Sequence, residues 1–294
     1  MEGVYIISAL KNLVRKLLRF AGLQPTSKFP FVLRRAAYRK PRRLSRAIGP
    51  DFFAPVSLTA THEHTDVRTD ELYDIWQTIP GAHKWMHYFN TYHRVVAHFE
   101  NRPIRMLEIG VYRGGSLRMW RKYLPKDSII VGIDIDPSCK QFEKEDENLY
   151  VRIGDQSNRA FLEEIVAEFG PFDLILDDGS HMCSHMIASF RHLFISGLRD
   201  KGVYLVEDTH SNFWPSYRDK SYSFIDLAKD LVDIMHAHYW LNHSELKFRK
   251  GHRERVDEAV VPKICSEIGE IRFEDSLVTI YKARQKNLPM SVHL

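Results

Sequence analysis

The chain has 294 residues, enough for one large domain or for one domain with an appendage, and 44% hydrophobic content lets it bury a sizeable core. Its three cysteines, Cys139, Cys183 and Cys265, are odd in number and widely separated, which argues against a disulfide framework or a thiolate zinc site and points to a reducing cytoplasm. The net charge of +4 hides an asymmetry: residues 1–50 carry twelve Lys or Arg against Glu2 alone, so the remainder is mildly acidic.

Residues 1–22 have helical periodicity. Ile6, Leu10, Leu13, Leu17 and Ala21 share a face, with Lys11, Arg15 and Arg19 opposite. The apolar run is too short to span a bilayer, and its flanks do not suggest a signal peptide. A basic amphipathic helix of this kind can lie on an anionic membrane or dock on the body or a second subunit. Residues 23–60 hold Pro25, Pro30, Pro41, Pro50 and Pro55 among many arginines and read as an irregular basic linker. No nucleic-acid motif accompanies the charge, so nucleic acid is not an expected partner. Residues 1–65 are therefore expected to form a helix and linker, and 66–294 the body.

Residues 66–100 are aromatic-rich and expected to be a helical cover. The aromatic stripe reads first as core, although Lys84 and His87 are spaced to face the same way over a pocket. Arg105 to Ile109 predicts a first strand, followed by a Gly-rich turn (Gly110, Gly114, Gly115, Ser116) and a helix from Leu117 to Tyr123. Ser128 to Ile133 predicts a second strand, ending in Asp134. Tyr150 to Ile153 predicts a third, ending in Gly154 and Asp155.

The most informative stretch is Phe172 to Asp208. Two continuous apolar runs end abruptly in Asp177-Asp178-Gly179-Ser180-His181 and in Glu207-Asp208, with a helical pattern from Met182 to Leu198 between them. Such runs suit parallel strands covered on both faces. If they are neighbours, four acids converge on the rim where open α/β sheets bind ligands. Carboxylates and a histidine there suit a hard cation such as Mg²⁺. The plainer reading is capping, with Asp178 and Ser180 capping the helix from Met182 onward and Asp208 or Thr209 capping the following segment. Ser223 to Trp240 predicts an amphipathic helix. Ile268 to Phe273 and Leu277 to Ala283 predict a hairpin closing the sheet.

The turn does not match the dinucleotide pattern, because Tyr112 stands where a pyrophosphate requires glycine. S-adenosylmethionine carries no phosphate. Glu108 suits its cationic methionine end, and Asp134, 24 residues past Gly110, suits its ribose diol. These motifs, in this order, resemble class I S-adenosylmethionine-dependent methyltransferases, and within them the Mg²⁺-dependent sugar O-methyltransferases of the macrocin and mycinamicin type. Cephalosporin-hydroxylase-like proteins share the pattern. The resemblance covers about Lys84 to Tyr217 and implies an α/β fold. It is a doubly wound, mostly parallel seven-stranded sheet with an antiparallel C-terminal hairpin, preceded here by the basic helical extension.

The resemblance further implies Asp178, Glu207 and Asp208 as Mg²⁺ ligands and His181 as general base. Glu108, Gly110, Ser116, Asp134 and Asp155 would line the donor site. Asp177 is grouped with them as support for the loop, and Tyr88 as a cover. The expected reaction is methyl transfer from S-adenosylmethionine to a sugar hydroxyl of a glycosylated metabolite, glycolipid or oligosaccharide. Trp214 and Tyr217 would either stack on the sugar or pack. Residues 1–50 could touch a membrane, and a homo-oligomer is compatible with the helical front end. The alternatives are a cephalosporin-hydroxylase-like enzyme and a membrane- or nucleic-acid-binding protein on a vestigial methyltransferase fold.

Overall fold

The computed structural model describes residues 69–240, 244–284 and 286–292. The helix expected over 1–22 and the linker over 23–60 lie outside the described residues. Seven strands form one sheet in the order β3-β2-β1-β4-β5-β7-β6. Strands β1 (Arg105–Ile109), β2 (Ile129–Asp134), β3 (Leu149–Ile153), β4 (Phe172–Asp177) and β5 (Leu198–Val206) are parallel. Strands β6 (Ile268–Glu274) and β7 (Leu277–Lys282) form the closing hairpin, and β7 runs antiparallel to β5. The expected architecture is therefore observed.

The apolar runs follow from burial on both faces. Every residue of β4 is buried. Met106, Leu174 and Leu205 point into a core with Tyr92, Leu117 and Trp120. Leu107, Ile175 and Tyr204 point into the opposite core with Phe190 and Phe224. Alternation along each strand sends neighbouring residues to opposite layers.

Helices α1 (Glu71–Gln77) and α2 (Tyr88–Ala97) replace the single cover expected over 66–100. The break follows Thr78 and contains Pro80 and Gly81, the latter at φ +76°. Helix α3 (Gly115–Tyr123) follows β1, α4 (Arg159–Phe169) precedes β4, and α5 (Cys183–Leu193) links β4 to β5. Helix α6 (Phe224–Ile234) starts at a capping box of Ser223 and Asp226 and ends six residues short of the expected Trp240. The short α7 (Lys263–Glu267) leads into β6. Among the described residues, no helix is long and apolar enough to cross a membrane.

The topology reverses between β1 and β4, its switch point, with β2 and β3 on one side and β5 on the other. Ile109 pairs with Ile133 and with Asp177, and Asp177 pairs with Val206, so the tips of β2, β1, β4 and β5 end level with one another.

Candidate active site

A cleft of about 740 Å³ opens over these tips. Gly110, Tyr112, Ser116, Asp134, Asp155 and Gln156 line one end, and Lys84, Tyr88, Asp178, His181, Glu207 and Asp208 the other. Gly110 joins the two ends. It adopts φ +96°, and a Cβ there would lie 2.2 Å from the Asp178 carbonyl oxygen. No other residue fits that crossing. Gly115, at the start of α3, lets the backbone of Ala82 come close, since a Cβ would lie 2.6 Å from the Ala82 Cα.

At the Gly-rich end, Asp134 Oδ2 accepts the amides of Val111 (2.8 Å) and Tyr112 (2.9 Å), while Oδ1 accepts that of Asp136 (2.9 Å). Burial would raise this carboxyl, but the three amides outweigh it and hold it below the usual range. Asp134 thus shapes the Gly-rich turn; Oδ2 is filled by two amides, while Oδ1, which accepts one, keeps a lone pair for a further donor. Asp155 Oδ1 likewise accepts the amide (2.7 Å) and hydroxyl (2.8 Å) of Ser157.

Glu108 does not line the cleft. It is fully buried, and neither its carboxylate oxygens nor Ser116 Oγ has a hydrogen-bond partner among the described residues. Burial pushes it up to about 7 against the pull of Lys84. Asp177 also lies outside the cleft lining. It accepts from Gln156 Nε2 (3.2 Å) and Tyr204 Oη (3.3 Å), and Gln156 Oε1 accepts the Ser180 amide (2.7 Å). Asp177 and Asp178 are adjacent, so the strand alternation turns the first inward and leaves the second at the cleft.

At the other end, one oxygen or ring nitrogen each of Asp178, His181 and Asp208 fall within 4.8 Å of one another. His181 Nε2 lies 4.0 Å from Asp178 Oδ1 and 3.6 Å from Asp208 Oδ2, while its Nδ1 is buried without a partner among the described residues. Both His181 (φ +58°) and Asp208 (φ +53°) hold left-handed backbone, a conformation costly for residues with side chains and common where a site over-determines it. Neither Asp178 nor Ser180 caps α5, whose N-cap Met182 has no side-chain cap, and Asp208 makes no capping bond either. The capping alternative therefore fails.

Glu207 borders the cleft but lies outside that three-residue group. Lys84 Nζ donates to Glu207 Oε2 (2.8 Å) and to Asp178 Oδ2 (2.6 Å), and Tyr92 Oη donates to Glu207 Oε1 (2.5 Å). Burial raises the Glu207 carboxyl, Lys84 offsets part of this, and Asp178 adds to it. Burial alone would lower Lys84, but Asp178, Glu207 and Glu108 outweigh it and hold it well above the usual range. Tyr88, expected over the donor, donates instead to Asp208 Oδ1 (2.6 Å) and lies 2.7 Å from Ser276 Oγ. Ser276 also meets His210 Nδ1 at 2.5 Å.

An aromatic wall borders the cluster: Trp85 lies against His210, His210 against Trp214, Trp214 against Tyr217, and Tyr217 against His181. Trp85 and Trp214 are 48% and 43% exposed, so both offer ring faces to a ligand.

Sequence reasoning missed Gln156 and Ser276 as members of the site, and it placed Lys84 and Tyr92 only in a cover, without their carboxylate partners. The i, i+4, i+8 spacing of Lys84, Tyr88 and Tyr92 was the one available signal: all three donate to the rim carboxylates.

The strand order, the switch-point cleft and the antiparallel hairpin are those of the class I methyltransferase fold. The chain's homologues are sugar O-methyltransferases. It is 31% identical over 215 residues to 8-demethyl-8-alpha-L-rhamnosyl tetracenomycin-C 2'-O-methyltransferase of Streptomyces olivaceus, covering 69% of this chain and 52% of that protein. It is 34% identical over 184 residues to demethylmacrocin O-methyltransferase of Streptomyces fradiae, covering 57% of this chain and 44% of that one. Among solved structures it resembles the MycE methyltransferase of the mycinamycin pathway in complex with Mg, SAH and mycinamycin VI. The two share 27% identity at a TM-score of 0.59, over 76% of this chain and 55% of that one. The chain spans about half the length of the curated relatives it matches. No protein-family model matches it.

Proposed function

We propose that this chain transfers a methyl group from S-adenosylmethionine to a sugar hydroxyl, assisted by a divalent cation such as Mg²⁺. The observation that carries the reading is the meeting of Asp178, His181 and Asp208 at one end of a cleft whose other end is built from the Gly-rich turn and Asp134. The O-methyltransferases of Streptomyces olivaceus and Streptomyces fradiae to which the chain is similar, and the MycE complex with Mg and SAH, support it.

The residues fit a cation. Three carboxyl groups, Asp178, Glu207 and Glu108, act on the one buried ammonium of Lys84, and Asp208 joins Asp178 and His181 with only the Tyr88 hydroxyl and nearby imidazoles as partners. Oxygen donors suit Mg²⁺. Asp178 and Asp208 would hold the ion, with Glu207 sharing the lone pairs not taken by Lys84 and Tyr92. A bound cation would lower the acceptor hydroxyl's pKa and orient it.

The chain's own residues do the rest. His181 Nε2 faces the space between Asp178 and Asp208 and takes the hydroxyl proton as the general base. Glu108, buried outside the cleft lining, supplies negative charge to the donor's cationic end from a distance, and Ser116 lines the cleft there. Asp134 holds the turn open and accepts the ribose hydroxyls. The wall of Trp85, Trp214 and Tyr217 presents flat apolar faces to a sugar ring. Most of the rate would come from positioning.

Residues 66–294 would make up the catalytic body, and residues 1–65 an extension whose basic charge could engage anionic lipid. Sedimentation of the full chain with anionic vesicles tests that part. No observation favours the hydroxylase-like or vestigial alternatives. Isothermal titration with S-adenosylmethionine, followed by mass analysis of rhamnosylated acceptors incubated with protein, donor and Mg²⁺, tests the main proposal. Absence of donor binding at millimolar concentration overturns it.

A further inference from the structure

The ammonium of Lys84 sits on carboxylate oxygens that a cation would also seek. Its Nζ lies 2.6 Å from Asp178 Oδ2 and 2.8 Å from Glu207 Oε2, and its side chain is 3% exposed. The segment that carries it cannot drift. Ala82, two residues before Lys84, is packed on Gly115, and Tyr88, four residues after Lys84, is fastened to Asp208 and Ser276. Tyr92 holds the other oxygen of Glu207, so that carboxylate cannot swing away. Asp178 is divided: Oδ2 faces Lys84, while Oδ1 faces His181 and the Asp208 side.

We infer that Lys84 is a resident counter-cation that holds Asp178 and Glu207 in the metal-free protein and competes with a divalent ion for them. The inference rests on the metal reading above. A lysine is suited to this part because its ammonium is a compact charge with three donors and no acceptor. Without the ion, it satisfies two carboxylates that would otherwise repel each other in a water-poor setting. With the ion present, the same charge sits one carboxylate away and weakens its hold, since like charges at such range repel strongly where water is excluded. The ion is then bound loosely enough to exchange, and the protein keeps its shape when the ion leaves.

The test uses Mn²⁺ as probe, titrated into the full chain and followed by electron paramagnetic resonance. K84M should bind Mn²⁺ about tenfold or more tightly than wild type. Its melting temperature should be lower than wild type without metal and return toward it with saturating Mn²⁺. Because K84M leaves buried acids uncompensated and could fail to fold without metal, E207Q is compared with K84M/E207Q, in which both partners are neutral. The double variant should again bind Mn²⁺ more tightly than E207Q. If Lys84 only orients the carboxylates, removing it leaves Mn²⁺ binding equal or weaker in both backgrounds, and the inference falls while the metal reading stands. If neither wild type nor any variant binds Mn²⁺, both fall together.

Discussion

At the tips of β2 and β3 the acids answer to main-chain amides; at the tips of β4 and β5 they answer to side chains. Asp134 and Asp155 accept backbone N–H groups and lie below the usual carboxylate range. Asp178, Glu207 and Asp208 instead meet Lys84, Tyr92 and Tyr88. An acid satisfied by its own backbone fixes a loop and has little reason to change partner. An acid satisfied by a distant side chain can exchange that partner for an ion. The first arrangement suits a donor that always docks the same way, and the second suits a metal that comes and goes.

Substitutions at the two ends should therefore fail differently. Asp178→Ala should lower methyl transfer by roughly 10³-fold or more, because it removes several kcal/mol of charge stabilisation at the reacting oxygen. Added Mg²⁺ should not restore it, and donor affinity by calorimetry should stay near wild type; a lost donor affinity would merge the two ends. His181→Gln should lower kcat by roughly 10²–10⁴-fold, the span of general-base effects, while Mn²⁺ affinity changes little. A matching loss of Mn²⁺ binding would make His181 a ligand and not a base.

On the donor side, Asp134→Asn should raise the KM for S-adenosylmethionine by roughly tenfold, a loss of about 1.4 kcal/mol, with Mn²⁺ affinity unchanged. Hydrogen exchange at Val111 and Tyr112 should speed up. The pH dependence has a definite sign. Asp134 has a folded value below its unfolded value of about 3.9, so its stabilisation is present above that value and is lost as pH falls through the folded one. Acid unfolding curves of wild type and Asp134→Asn should therefore converge below about pH 4. The smallest effect should come from Trp214→Ala, a rise in acceptor KM of roughly 3–10-fold, in keeping with the 0.5–1.5 kcal/mol typical of an aromatic contact.

How much was legible follows the range of each interaction. The parallel strands could be read because burial on both faces leaves unbroken apolar runs, and acids at their ends stand out against them. The Gly-rich turn was visible for a similar reason: Gly110 meets the Asp178 backbone at a spacing no Cβ allows. The partners of Lys84 were hidden because they lie 94 and 123 residues away; its spacing with His87 gave only a side chain facing a pocket. Asp177 and Asp178 are identical letters side by side. Asp177 contacts Gln156 and Tyr204, and its place outside the cleft needed the strand's pleat to be known. Tyr88 was assigned to the donor because sequence gives the cover's proximity to the first strand and not the direction its hydroxyl takes.

The hairpin at the far end of the sheet reaches back into this chemistry. Its turn residue Ser276 meets Tyr88 and His210, its carbonyl receives the amide of Thr209, and Glu274 binds Thr91 and Arg94. During synthesis the five parallel strands, with the donor turn, leave the ribosome before the piece that steadies Asp208. The Asp208 end of the cleft is thus the last part of the site to be completed along the chain.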